Sequence, residues 1–183
     1  MGLSLKREIF KDLFECLKKY LKENDLEEII EIQNFSSLHI SVYYFGKVIT
    51  VRNLEKIKID LIKLNKKENS FPVYIDQFNF FERKGFKYLG YLYPSKDKFL
   101  EKVNFMLKQH YVSEVADNEY SKYIPHITLF KIKDPKFPQK HIDYIVSIID
   151  KYLKQTKEKD VFQQFNLYSV DSNYSPEKQE VVL

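Results

Sequence analysis

Two short segments of the chain each place a histidine two residues before a hydroxyl side chain. In SSLHISVYY, residues 36–44, His39 and Ser41 alternate with the apolar residues Leu38, Ile40 and Val42. Successive side chains of a β-strand point to opposite faces, so this alternation predicts a strand with one buried face. The other face then carries an imidazole and a hydroxyl side by side.

The second segment, PHITLF, repeats the pattern. It places His126, Thr128 and Phe130 on one predicted strand face, and Ile127 and Leu129 on the other. Two His-x-Ser/Thr tripeptides would arise by chance in such a chain roughly one time in thirty, so the tripeptides alone are only suggestive. Two hydrogen-bonded structural histidines are the alternative interpretation.

Paired histidines of this kind suit phosphoryl transfer without a metal. The unperturbed pKa of imidazole, about 6.5, lets one ring accept a proton from the attacking oxygen while the other gives a proton to the leaving oxygen. Hydroxyls from Ser41 and Thr128 would then donate to the non-bridging phosphate oxygens. The sequence therefore predicts His39 and His126 as catalytic residues, with Ser41 and Thr128 as phosphate-binding residues.

Other catalytic chemistries fit the pattern less well. A zinc site normally takes three or four ligands, and no His, Cys or carboxylate cluster accompanies either histidine in the sequence. A serine-nucleophile triad would leave the repeated pattern unused. We therefore expect no metal and no cofactor.

Further residues near the two segments have weaker predicted roles. Aromatic side chains border both motifs and are candidates for stacking on a nucleobase. A regular strand would turn Lys131 away from His126, because the two are an odd number of residues apart, unless a bulge intervenes. His110 and His141 are expected to be structural. The candidate stacking residues are Tyr43, Phe45, Tyr123 and Phe130.

The elements that must position these residues alternate between helices and strands. Apolar periodicity predicts helices over residues 4–23, from 53 to about 64, from 95 to about 111 and over 139–154. Aromatic and β-branched runs around Lys84-Gly85 predict a β-hairpin. The final segments VFQQFNLYSV and KQEVVL predict two more strands.

The chain repeats this arrangement once. His39 and His126 are 87 residues apart, and at that offset Phe78-Asn79-Phe80 matches Phe165-Asn166-Leu167. Two copies of a long unit predict two pseudo-symmetric lobes, from approximate repeats 5–91 and 92–178, within one domain spanning 1–183. The expected fold is α+β, with two antiparallel sheets flanking a central cleft and helices outside.

These motifs resemble those of the 2H phosphoesterases, a superfamily that includes 2′-5′ RNA ligase-like and cyclic phosphodiesterase-like proteins. SLHISVYYFG resembles the first motif of that family, PHITLFK the second, and LYSVDSNYSPEKQEVVL its closing hairpin. The resemblance implies a bilobal fold and metal-independent action on RNA-like phosphodiesters or 2′,3′-cyclic phosphates. The usual first strand of the family has no evident counterpart in MGLSL, which predicts a trimmed domain or a lobe lacking one strand.

Composition limits the remaining possibilities. The 183 residues are 44% hydrophobic, with 15 Phe and 14 Tyr, which is ample for one folded core. No apolar run is long enough to span a bilayer, and one cysteine allows no internal disulfide, so we expect a cytoplasmic protein with no membrane and no obligate protein partner. The net charge of +4 favours a short nucleotide or an RNA end over a long RNA.

Three functions remain open on these grounds. The first is a metal-independent phosphodiesterase acting on a small ribonucleotide, either 2′-5′-linked, cyclic or bearing a 2′,3′-cyclic phosphate. The second is an RNA-end-processing cyclic phosphodiesterase or 2′-5′ RNA ligase-like enzyme. The third is a nucleotide-binding module without catalysis.

Overall fold

The computed structural model of the chain has an α+β fold, as the sequence predicts. It describes residues 1–43, 51–67, 72–95, 98–111, 123–156, 159–166, 169–170 and 176–177. Within these ranges it contains four α-helices and two antiparallel sheets of three and four strands, together with a short two-stranded ribbon.

The four helices are α1 (Lys11–Glu23), α2 (Val51–Lys67), α3 (Lys98–Tyr111) and α4 (Gln139–Thr156). Helical spacing explains each of them: in α1, for instance, Leu13, Leu17 and Leu21 are buried on one face. All four lie close to their predicted positions. The first begins later than predicted, because a strand and a short 3₁₀ turn (Arg7–Phe10) precede it.

The strands are β1 (Gly2–Leu5), β2 (Ile30–Ile32), β3 (His39–Ser41), β4 (Gln77–Arg83), β5 (Phe86–Tyr93), β6 (Ile127–Ile132), β7 (Phe162–Asn166), β8 (Ser169–Val170) and β9 (Pro176–Glu177). The hairpin β4–β5 turns at Lys84 and Gly85, whose φ angles of 50° and 79° suit a tight two-residue turn. This hairpin is confirmed as predicted. The predicted strand KQEVVL lies outside the described residues.

The three-stranded sheet has the order β3-β1-β7, so the strand at residues 2–5 is its centre. Leu3 pairs with Ile40 on one side and with Phe165 on the other, and all three side chains are fully buried. The expectation that MGLSL supplies no first strand is therefore wrong. So short a segment forms a strand because two neighbours satisfy its backbone hydrogen bonds and bury its leucines.

The four-stranded sheet has the order β2-β6-β5-β4 and is also antiparallel. Its edge strand β2 was not predicted. Both sheets draw strands from both halves of the chain, since β7 joins β1 and β3 while β6 joins β4 and β5. The approximate repeats 5–91 and 92–178 therefore do not correspond to one sheet each.

Three strands of each sheet share one order and one register. Gly2 pairs with Ser41 and Asn166, and Tyr91 pairs in the same way with Thr128 and Asn79. Ser41 and Thr128 are 87 residues apart, as are Asn79 and Asn166, whereas the central positions Gly2 and Tyr91 are 89 apart. The set β3-β1-β7 thus matches the set β6-β5-β4 pair by pair.

Both sheets contribute to a single hydrophobic core. Leu3 and Phe165 come from the first sheet and Leu92 and Ile127 from the second. Each of these side chains is 0% exposed. Helix α1 packs beside α4 and covers part of this core. Among the described residues, no helix is both long and apolar enough to cross a membrane.

Candidate active site

The two histidine segments are neighbours in space. Strand β3 begins at His39, β6 begins one residue after His126, and these strands lie against each other. The Tyr123 hydroxyl, just before β6, donates a hydrogen bond to the Ser41 carbonyl oxygen over 3.1 Å. The structure therefore brings together two motifs that are 87 residues apart in the sequence.

The two imidazoles are held by the same local contact. Nδ1 of His39 lies 2.8 Å from the carbonyl oxygen of Ser37, and Nδ1 of His126 lies 2.8 Å from that of Ile124. A carbonyl oxygen only accepts hydrogen bonds, so Nδ1 must carry the proton in both rings. In the neutral form of each ring, Nε2 therefore carries the lone pair that can accept a proton.

The predicted hydroxyls differ in their surroundings. Ser41 Oγ lies 3.1 Å from Nε2 of His39, so it donates to that nitrogen when the ring is neutral. Ser41 is exposed and Thr128 is half-buried. Within the described part of the chain, the Thr128 hydroxyl has no side-chain hydrogen bond, which leaves its donor available to a ligand.

Burial lowers the pKa of both histidines below the ordinary value of about 6.5. For His39, the hydrogen bond to Ser37 raises the pKa, whereas the Met1 amino group, His126 and Arg7 lower it when they carry their positive charges. For His126, the hydrogen bond to Ile124 opposes the burial. Both rings are therefore mainly neutral at pH 7, and a proton on His126 would lower the pKa of His39.

Sheet register defines which side chains share the histidine face. Ser4 stands opposite both His39 and Gln164 and so shares their face of the first sheet. On the second sheet, Tyr91 stands opposite Thr128 and Asn79. Each sheet thus has polar side chains next to its histidine. The opposite face carries apolar residues of the core, among them Leu3 and Leu92.

A β-bulge in β6 changes two predicted side-chain directions. Tyr91 pairs with Thr128 but the preceding Gly90 pairs with Phe130, so Leu129 is the extra residue. Phe130 therefore lies on the face opposite Thr128, and Lys131, which pairs with Leu89, lies on the Thr128 face. The expectation that Phe130 shares the face of His126 is wrong.

Phe130 is a core residue. It is 2% exposed, packs near Phe78 and Phe80, and covers Gly90, where a Cβ would come within 2.4 Å of its ring. Tyr43 is 5% exposed and contacts Tyr111. Neither ring has an exposed face on which a nucleobase could stack, so the structure does not support the stacking predicted for Phe130 and Tyr43.

The other two stacking candidates have different outcomes. Tyr123 is half-buried, and its hydroxyl joins the two motif strands as described above. Phe45 lies outside the described residues. Stacking by either residue stays a prediction.

Two aromatic rings that were not among the predicted site residues contact His126. Phe81 stacks on Tyr91 with ring centroids 4.1 Å apart and an interplanar angle of 19°. Both rings meet the imidazole edge-on, at 5.0 and 5.4 Å between centroids. The alternating aromatics of the hairpin were the available signal, because alternation places every second ring on one face.

The other two histidines, His110 and His141, each contact a polar side chain outside the candidate site. His141 Nδ1 lies 2.7 Å from the Tyr20 hydroxyl, and His110 Nε2 lies 3.4 Å from an Asp60 oxygen. Both contacts fit the structural roles predicted for these residues.

Comparison with known proteins adds nothing to this description. No protein-family model matches the chain, and no curated protein matches it either. Among the residues with described positions, no group of three or more His, Cys, Asp or Glu side chains could hold a metal ion.

Proposed function

We propose that this protein is a metal-independent phosphodiesterase that cleaves a small ribonucleotide by two-histidine acid and base catalysis. One observation carries the proposal: His39 and His126 lie at the starts of β3 and β6, which contact each other, and the same backbone contact leaves Nε2 of each neutral ring as the nitrogen that can accept a proton. Structural histidines need no such repeated geometry.

The arrangement that we propose is a duplicated, two-lobed fold of the 2H phosphoesterase type. The matching order and register of β3-β1-β7 and β6-β5-β4 support it. So does the placement of a histidine and a hydroxyl at equivalent points of both sets. The cleft would lie between the two histidine faces.

In the proposed hydrolysis, water attacks the phosphorus atom of a diester held between the rings. One neutral Nε2 takes the proton of the water as the new P–O bond forms, and the other ring, protonated, gives its proton to the leaving oxygen as the old P–O bond breaks. The atoms balance without a further reactant. The acidic ring must gain its proton in the substrate complex, where the anionic phosphate raises its pKa.

Side chains near the two rings would bind the phosphate. Ser41 and Thr128 supply hydroxyl donors for the non-bridging oxygens, which carry charge in the transition state. Lys131 lies on the same face as Thr128 because of the bulge in β6, and its ammonium adds a positive charge on that side. In this proposal the three side chains bind the phosphate without a metal ion.

The aromatic pair supports a nucleotide as the substrate. Phe81 is half-buried and Tyr91 backs it, so a base placed against Phe81 would extend an existing stack beside His126. A net charge of +4 over 183 residues suits a substrate with few phosphates. We therefore favour a 2′-5′-linked or cyclic oligonucleotide or a 2′,3′-cyclic phosphate; an RNA-end-processing or 2′-5′ ligase-like reaction uses the same site chemistry.

One observation favours a nucleotide-binding module without turnover as the second candidate. The pKa values of both histidines are lowered, so the free protein at pH 7 holds two bases and no acid. Binding alone requires no acid. Catalysis requires that substrate binding supplies one.

The deciding experiment offers 2′-5′-linked, cyclic and 2′,3′-cyclic phosphate substrates to the protein in EDTA. We expect turnover in the parent and a loss of about 10²- to 10⁴-fold in kcat/KM for His39→Ala and for His126→Ala. His110→Ala is the matched control, because that histidine is exposed and lies outside the proposed cleft. Binding without turnover in the parent would favour the module, and a His110→Ala loss as large as the others would remove the case for a histidine pair.

A further inference from the structure

A guanidinium group lies beside the His39 half of the site. Arg7 begins the 3₁₀ turn directly after β1, whose Ser4 stands opposite His39. Gly2, at the other end of β1, stands opposite Ser41. Along β1 and the turn that follows it, the backbone positions therefore come in the order of Ser41, His39 and Arg7.

Arg7 has no anionic partner in the described part of the structure. Its side chain is half-buried, and its Nε atom is buried without a hydrogen-bond partner. Buried polar groups are nearly always hydrogen-bonded, and an unsatisfied one in a native fold calls for an explanation. An anion close to the guanidinium would offset its positive charge.

Lys6, the residue before Arg7, forms an ion pair with the carboxylate of Asp160. Lys6 Nζ lies 2.6 Å from an Asp160 oxygen, and the backbone N–H groups of Val73 and Phe162 donate to the same carboxylate. Asp160 is thus satisfied by other donors. Among the described residues, no acid forms an ion pair with Arg7.

The charge of Arg7 reaches the candidate site. It is one of the groups that lower the pKa of His39, so the guanidinium lies within electrostatic range of that imidazole. An anion bound to Arg7 would remove part of this effect. Arg7 is therefore placed to respond to a charged group of a ligand held at His39.

We propose that Arg7 binds a second phosphate of the substrate, one that flanks the cleaved diester on the His39 side. This inference rests on the proposed function and specifies its substrate class: a ribonucleotide with a phosphate next to the cleaved linkage is preferred over one without it. Arginine suits this task because its planar fork binds phosphate oxygens in pairs. Because the backbone positions of Ser41 and Arg7 flank that of His39, we assign the two side chains to different phosphates.

The test measures equilibrium binding and steady-state turnover of two matched ligands in EDTA. The ligands are 2′-5′-linked diadenylate with a 5′-phosphate and the same compound without it. We expect Arg7→Gln to weaken binding and raise KM for the phosphorylated ligand by about 10- to 100-fold, with kcat little changed. The unphosphorylated ligand should bind both proteins equally.

Two further variants make the result specific. Arg83→Gln is the matched control, since Arg83 is exposed at the end of β4 and lies over the ring of Tyr88. Arg7→Lys keeps the charge but not the fork, so its loss should be smaller than that of Arg7→Gln and confined to the phosphorylated ligand. If Arg7→Gln fails to fold, the selectivity of Arg7→Lys decides the question.

Equal losses on both ligands, or no loss on either, would overturn the role of Arg7. A parent protein that binds neither ligand would overturn it as well. A parent that binds and does not hydrolyse contradicts the proposed enzyme, yet the ratio of the two affinities still decides Arg7. A parent that hydrolyses both ligands, with Arg7→Gln unchanged, leaves the enzyme standing and removes the second phosphate site.

Discussion

The three-stranded and four-stranded sheets share a strand order and register, but the side chains around His39 differ from those around His126. His39 stands opposite the small Ser4 and accepts a hydrogen bond from Ser41, and the charge of Arg7 lowers its pKa. His126 contacts the stacked rings of Phe81 and Tyr91 edge-on, on the sheet that also carries Lys131. Equivalent backbone positions can therefore acquire a charged side and an aromatic side, because register constrains the main chain and not the identity of the side chains.

This difference suggests how a substrate would be oriented. A nucleotide has a charged part and an aromatic part, and the two sides of the site match these parts. We expect the base to lie toward Phe81 and the flanking phosphate toward Arg7. In the proposed hydrolysis, we expect His39 to be the neutral base, because the charge of Arg7 lowers its pKa further.

The largest expected effect that bears on this comparison concerns the central strands. Leu3 and Leu92 occupy equivalent places and are both 0% exposed. Each substitution to Ala should lower the free energy of unfolding by about 2 to 5 kcal/mol, since it removes transfer free energy and leaves a cavity. Chemical denaturation of both variants measures this.

The exposed Ile59→Ala serves as the control for that experiment and should change stability little. A Leu3→Ala loss as small as that of the control would show that β1 contributes little to the first sheet. The equivalence of the two central strands would then be broken.

A smaller effect separates the two hydroxyls. Ser41→Ala and Thr128→Val should each lower kcat/KM by about 10- to 100-fold, because each removes a donor to a charged phosphate. Only Ser41→Ala removes a hydrogen bond from a histidine, so only it should also shift the pH profile of kcat/KM. Steady-state kinetics across pH distinguish the two, and identical profiles would show that the hydroxyls act alike.

The smallest effect is on stability against pH. Both histidines have a lowered pKa in the folded protein, so the unfolded chain binds more protons below its own pKa of about 6.5. The stability that they contribute is complete above this pH and is lost as the pH falls toward the folded values. His39→Ala and His126→Ala should therefore flatten the decline in melting temperature between about pH 7 and pH 5.

His110→Ala is the control for this experiment, because that histidine is exposed and lies outside the pair. The slope of His39→Ala should be flatter than that of His126→Ala if positive neighbours matter. Parallel curves for all three variants would contradict the burial of the pair.

Much of the local structure follows from patterns of near neighbours. The periodicity of α4 and the turn residues Lys84 and Gly85 predict their elements closely. The alternation around His39 and His126 also predicts two strands with polar faces. These features depend on residues a few positions apart, and the local backbone decides them.

Other features depend on contacts that no local pattern encodes. MGLSL is too short to be recognised as a strand, and it becomes one because β3 and β7 pair with it on both sides. Phe130 and Lys131 change faces because one residue bulges where β6 meets β5. The stack around His126 requires strands from residues 77–93 to meet residue 126.

By itself, then, the sequence determined the helices, the hairpin and the two histidine strands with their polar faces, since periodicity and turn chemistry act over a few residues. Only the tertiary structure decided that β3 and β6 meet, that a bulge puts Lys131 on the Thr128 face, and that Arg7 follows the strand that pairs with His39. The reason is physical: strand pairing, register and the burial of a charge depend on groups far apart in the chain, which come together only when the core forms.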